Sequence, residues 1–174
     1  LMAVQCGATQ VQGTINGYGE RCGNANLCSI IPALRLKLGI DCVSDQQLSK
    51  LTEVARNVSE LANLSPDPHL PYVGASAFSH KGGLHVSAMM KHEESYQHIA
   101  PDLVGNRSQM LISELSGMST VIYKARELGL ELVPKSKQVQ EILEHVKTLE
   151  SQGFQYEAAE ASFELLLRRA QPAY

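Results

Sequence analysis

The sequence predicts a mostly α chain with some β, on three observations. Apolar residues recur at helical spacing in five stretches, within 24–38, 45–63, 119–128, 139–152 and 156–170. Glycines stand just past three of them, at Gly39, Gly129 and Gly153, where left-handed backbone closes helices. Alternation of β-branched residues is confined to 8–16, Ala-Thr-Gln-Val-Gln-Gly-Thr-Ile-Asn, with a weaker candidate strand or buried turn at 109–115.

A length of 174 residues allows one compact domain or two small lobes with a real core. A net charge of −3 offers no general field for nucleic acid or an anionic membrane. No apolar run approaches the roughly 18 residues of a membrane helix, and the first residues have neither a basic leader nor a signal-peptide core. They read as the last turns of a helix, so the chain is expected to be truncated. Cys6, Cys22, Cys28 and Cys42 all fall in the first quarter without a Cys-x-x-Cys, which reads as four free thiols in a reducing cytosol.

Taken in order, residues 8–16 read as a short strand that leads into a glycine-rich turn. Asn24 to Leu38 follows as a helix in which Pro32 forces a kink or a late start. Ser44-Asp45-Gln46-Gln47 is a capping box, and Leu48, Leu51, Val54, Val58 and Leu61 mark one face of a helix running to about Asn63. Pro66, Pro68 and Pro71 make an extended connector. Residues 72–105 carry no sustained period but hold four of the six histidines, His80, His85, His92 and His98. An irregular stretch of that length is expected to be ordered and functional. The last two helices, joined by a turn at Gly153, form a helical hairpin over 138–170. The hairpin is either a packed pair or a groove for a partner.

Two motifs carry possible chemistry. Gly17-Tyr-Gly-Glu-Arg-Cys-Gly23 lies between a strand and a helix, but its spacing is not that of a dinucleotide turn. A carboxylate inside it would repel a phosphate. Glycines that let the backbone approach a ligand, with Glu20 and Asn24 among them, suit a catalytic loop at the end of a barrel strand; an incidental tight turn explains the same spacing. His80-Lys-Gly-Gly-Leu-His85 sets two imidazoles across a Gly-Gly pair that does not suit a helical zinc motif. His85 is thus a candidate general acid or base, or a solvated loop histidine. Tyr96 is a weaker candidate, with a half-buried tyrosine as the plain alternative.

Longer segments resemble one family. They are Gly13-Thr-Ile-Asn-Gly-Tyr-Gly-Glu-Arg-Cys-Gly-Asn-Ala-Asn-Leu27, Tyr72-Val-Gly-Ala-Ser-Ala-Phe-Ser-His-Lys-Gly-Gly-Leu-His-Val86, and the weaker Val104-Gly-Asn and Ser113-Glu-Leu-Ser-Gly117. With Gly153-Phe-Gln-Tyr-Glu-Ala-Ala-Glu-Ala-Ser-Phe-Glu-Leu165, they resemble the 2-isopropylmalate and homocitrate synthase superfamily, and most closely its citramalate-forming branch.

The resemblance implies the end of a (β/α)8 TIM barrel at 1–40, followed by a largely helical linker of small subdomains, at 41–133 and 134–174, before a regulatory domain. It implies an acyltransferase of branched-chain amino acid biosynthesis that condenses acetyl-CoA with a 2-oxo acid. It further implies a divalent cation (Mg, Mn or Zn), a homodimer with the linker of one subunit over the partner's barrel, and a cytoplasmic location. By the same resemblance Asn24 is a metal ligand, Glu20 a catalytic carboxylate, and His85 and Tyr96 groups on the acetyl-CoA side, with His80 in support. The family's other metal ligands and its oxo-acid arginine are expected upstream of Leu1. The chain alone is therefore expected to be inactive.

Overall fold

The computed structural model describes residues 1–80, 83–89, 92, 95–112, 116–156 and 159–171, with the backbone alone at 83–85. The α-helices and β-strands among them are α1 (Met2–Gln5), α2 (Leu27–Pro32), α3 (Asp45–Leu48), α4 (Leu51–Leu61), β1 (Ser79–His80), α5 (Gly83–Met89), β2 (Gln109–Met110), α6 (Met118–Glu127), α7 (Lys137–Ser151) and α8 (Glu160–Arg169). The chain is mostly helical with a small two-stranded sheet, in which β1 and β2 run parallel with Ser79 opposite Gln109. It divides into two compact units, 1–78 with 99–108, and 79–98 with 109–171 among the described residues.

In the first unit, the strand expected at 8–16 does not form. Only Thr14 pairs, in an isolated parallel bridge to Asn26, and Ile15–Gly17 turns instead into a 3-10 segment with Asn16 at φ 60°. A lone extended segment leaves its ladder groups unpaired, so β-branched alternation alone does not make a strand.

The expected helix from Asn24 starts three residues later. Asn26 caps it by accepting from the Cys28 N–H at 2.9 Å. Pro32 has no N–H to give to the preceding turn, and the winding loosens after it into a π segment, Ala33–Lys37, with Leu38 N–H bonding back to Ala33 at 3.2 Å. Gly39, at φ 66°, ends the segment.

The capping box at Ser44 forms in both directions: Gln47 N–H donates to Ser44 Oγ at 3.2 Å, and Ser44 N–H to Gln47 Oε1 at 2.9 Å. The helix it starts is interrupted at Ser49–Lys50, where the Ser49 hydroxyl donates back to the Gln46 carbonyl at 3.1 Å. Its buried face also differs from the apolar count. Leu48, Leu51, Thr52, Ala55 and Ser59 are buried, while Val54 and Leu61 are exposed. Thr52 can be inside because its hydroxyl donates to the Val104 carbonyl at 2.7 Å. This face meets Cys28, Val73, Phe78 and Val104 in the unit's core. The amide of Asn106 holds the turn beneath it, donating to the Tyr72 and Gly74 carbonyls at 2.9 and 3.0 Å.

In the second unit, the irregular stretch contains α5, which starts at Gly83 directly after the Gly-Gly step begins. A glycine is tolerated at a helix end far better than inside one, so the pair does not prevent the helix. Residues 138–170 do form two helices, but not a two-helix unit with an open groove. Val139, Ile142 and Val146 of α7 and Phe163 and Leu167 of α8 share one core with Val121, Ile122 and Ala125 of α6. Gly129 and Gly153, at φ 69° and 95°, close α6 and α7.

Lys124 ties α6 to α8. Its side chain is 13% exposed, and the ammonium sits 3.0 Å from Glu127 and 3.1 Å from Glu160. Burial would lower its pKa, but hydrogen bonds and charge from the two carboxylates outweigh it and leave the value raised. A raised amine favours the folded state below the unfolded lysine pKa of about 10.4, and that contribution is lost as pH rises through the higher folded value. Lys124→Met is expected to cost about 1 kcal/mol at neutral pH, and its melting temperature should fall less than the parent's above about pH 10.4. Thermal melts across that range check both.

Candidate functional site

The glycine-rich motif is a closed loop. The Thr14 N–H donates to the Ala25 carbonyl at 2.9 Å and Leu27 N–H to the Thr14 carbonyl at 3.0 Å, which brings the loop's two ends side by side. Inside it, Asn24 N–H donates to Gly17 at 2.9 Å and Gly23 N–H to Glu20 at 3.0 Å. Contact with backbone requires a glycine at 23, and the lack of a side chain at Gly19 leaves room for that of Asn24. A Cβ on Gly23, at φ 97°, would strike the Gly17 carbonyl, and one on Gly19 would strike the Asn24 side-chain amide.

This packing fixes how Asn24 is presented. Its Nδ2 donates to the Tyr18 carbonyl at 3.2 Å. A carbonyl only accepts, so the nitrogen must face inward and the amide oxygen outward, where Asn24 is exposed. Glu20 is exposed on the same loop, and its carboxylate makes no hydrogen bond or ion pair among the described residues. The loop thus carries a neutral hard oxygen and a carboxylate four positions apart in sequence. Among the described residues no group of three His, Cys, Asp or Glu could cage a metal. The Asn24 oxygen therefore fits one ligand position of an oxygen-rich cation site and cannot hold an ion by itself.

Beneath the loop lies a polar cluster that apolar periodicity does not reveal. Asn16 Nδ2 donates to the Ala55 carbonyl at 2.7 Å and to Ser59 Oγ at 3.0 Å. The Tyr18 hydroxyl lies 3.0 Å from the same Ser59 oxygen. Cys28 completes the cluster, its thiol donating to Asn16 Oδ1 at 3.5 Å. Burial pushes that thiol's pKa up, against a smaller opposing effect of the Asn16 backbone, so Cys28 is a packing group and not a nucleophile. Cys6, Cys22 and Cys42 are exposed free thiols. A cleft of about 450 Å³ opens beside the cluster, lined by Tyr18, Arg56, Ser59, Leu70 and Val73 among others. Two signals in the sequence mark the cluster: Asn16-Gly17 is a left-handed pair, and Ser59 sits four residues past Ala55 on the buried stripe.

In the second unit the structure brings His80 and Tyr96 together, ring edge to ring face, with centroids 6.4 Å apart at 72°. Tyr96 is 46% exposed. His85 is the third residue of α5, and its side chain lies outside the described residues. No helix among the described residues is long and apolar enough to cross a membrane.

Residues 1–58 match the HMGL-like family model, and residues 72–153 match the model described as homocitrate synthase post-HMGL domain-like. The chain is 58% identical over 170 residues to an (R)-citramalate synthase of Geobacter sulfurreducens, covering 98% of this chain and 32% of that protein. It is 56% identical over 170 residues to the (R)-citramalate synthase of Synechocystis sp., covering 98% of this chain and 31% of the relative. A homocitrate synthase of Methanopyrus kandleri is 37% identical over 149 residues, 86% of this chain and 36% of its own length. The chain therefore spans about a third of the length of the curated relatives it matches.

Proposed function

We propose, from the match of residues 1–58 to the HMGL-like model and of residues 72–153 to the homocitrate synthase post-HMGL domain-like model, that the chain is part of an acyltransferase condensing acetyl-CoA with a 2-oxo acid. The substrate is pyruvate and the products are (R)-citramalate and CoA; the names of the relatives at 58% and 56% identity support pyruvate over longer oxo acids. The observation that carries the catalytic reading is the presentation of Asn24, whose amide oxygen is turned outward by the Tyr18 carbonyl on a loop that also exposes Glu20.

In this reading Asn24 is one ligand of a divalent cation, and the remaining ligands come from the two thirds of the relatives' length that this chain does not match. When bound, such a cation polarises the keto group of the oxo acid. Glu20 is the carboxylate that holds or moves a proton on the oxo-acid side. His85 and Tyr96 serve the acetyl-CoA side, one as a base for the methyl proton and the other as a hydrogen-bond donor to the thioester oxygen. The methyl carbon then bonds to the keto carbon, water breaks the thioester, and CoA leaves as its thiol. Residues 1–40 form the end of the barrel, while 41–133 and 134–174 are linker subdomains of a cytoplasmic homodimer.

The test is release of free CoA by the full-length enzyme with pyruvate, 2-oxoisovalerate or 2-oxoglutarate. The highest kcat/KM is expected with pyruvate. Preference for either longer acid overturns the substrate assignment, and no release with any of them overturns the activity.

A further inference from the structure

We propose that Ser59, on α4, is a positioning residue for Asn24, acting through Tyr18. The inference rests on the reading of Asn24 as a metal ligand. A serine hydroxyl has one proton to give and two lone pairs to accept with. The Ser59 proton goes to the Ala55 carbonyl at 3.0 Å, a group that can only accept. Asn16 Nδ2 donates to the Ser59 oxygen at 3.0 Å, and the Tyr18 hydroxyl shares a hydrogen bond with the same oxygen at 3.0 Å. The hydroxyl is saturated, and at 1% exposure water does not compete for it. Tyr18 is thereby anchored to α4 by its ring end.

The other end of Tyr18 faces the loop. Its carbonyl accepts from the Thr14 hydroxyl at 2.6 Å and from Asn24 Nδ2 at 3.2 Å. The second of these is the only hydrogen bond of the Asn24 side chain among the described residues, so it alone decides which way the exposed amide oxygen faces. Ser59 thus acts on an atom it does not touch. Asn16, held in left-handed backbone at φ 60°, closes the same network from the other side by also donating to the Ala55 carbonyl at 2.7 Å. Ser59 follows Tyr18 by 41 positions, so the loop's geometry depends on a later part of the chain.

The experiment measures Mn²⁺ affinity of the full-length enzyme from the electron paramagnetic resonance signal of free Mn²⁺, in the parent and in Tyr18→Phe, Ser59→Ala, Asn24→Ala and Thr52→Ala. Tyr18→Phe removes one oxygen and keeps the ring and the carbonyl. It and Ser59→Ala are each expected to weaken Mn²⁺ binding about 10-fold, as the loss of groups that orient a ligand does. The pair combined should be no weaker than either alone, because both break one connection. Thr52→Ala breaks a different buried bond of α4, to Val104. It should lower the melting temperature and leave Mn²⁺ affinity unchanged, which separates positioning from mere stability. Parent-like affinity in Tyr18→Phe and Ser59→Ala, with Asn24→Ala weakened, overturns the inference and leaves the metal reading standing. Parent-like affinity in Asn24→Ala overturns the metal reading and the inference with it. If Ser59→Ala does not fold, Tyr18→Phe decides.

Discussion

Glu20→Gln in the full-length enzyme is expected to slow CoA release by about 10²–10⁴-fold, the usual loss when a positioned acid or base is removed. The substitution keeps shape and removes only charge and basicity. Glu20 is exposed, and what the loop uses of it is its backbone carbonyl, which accepts from Gly23 N–H at 3.0 Å. No packing is lost, so the melting transition should stay within about 0.5 kcal/mol of the parent's. Mn²⁺ affinity should also hold, since Asn24 and its Tyr18 contact are untouched. A steady-state assay beside a melt measures all of this. Parent-like turnover would remove Glu20 from the chemistry.

The largest effect on stability is expected from Phe163→Ala. Phe163 is 2% exposed and packs in the core that joins α6, α7 and α8, with the Tyr156 ring edge-on at 6.0 Å and 76°. Removing a buried phenylalanine forfeits its transfer energy and leaves a cavity, at about 3–5 kcal/mol. That is a large share of the whole stability of a small unit, typically about 5–15 kcal/mol. Phe154 provides the contrast. It is 60% exposed, so Phe154→Ala should be nearly neutral. Urea unfolding monitored by circular dichroism compares the two; a loss under about 1 kcal/mol for Phe163→Ala would contradict the core assignment.

The readable parts of the fold were those written in local chemistry. The Ser44–Gln47 box and the glycine stops at 39, 129 and 153 need only neighbours a few residues away, and each behaves as its residues predict. The errors arise where distant partners decide. Val54 and Leu61 are apolar at helical spacing yet exposed, while Thr52 and Ser59 are buried, because Val104 and Asn16 supply hydrogen bonds from 52 and 43 residues away. Residues 8–16 have strand-like composition but no neighbouring strand. At the candidate site the residue types Glu20 and Asn24 were legible from the motif. The way the Asn24 amide faces was not, since it depends on a carbonyl fixed by the fold of the loop. Nor was the pairing of His80 with Tyr96, because fifteen intervening residues hide it from any local pattern.

The division of the chain into units also bears on how it is made. The first unit takes residues 1–78 and then 99–108, and Val104 from the later piece lies in its core with Thr52 bonded to it. On a ribosome, where synthesis runs at about 5–20 residues per second and domains tend to fold as they emerge, this unit cannot complete its interior when residue 78 appears. It has to wait until the segment through 108 has left the exit tunnel, by which time α5 of the other unit is already outside. The nascent loop with Glu20 and Asn24 therefore spends that interval beside an unfinished core.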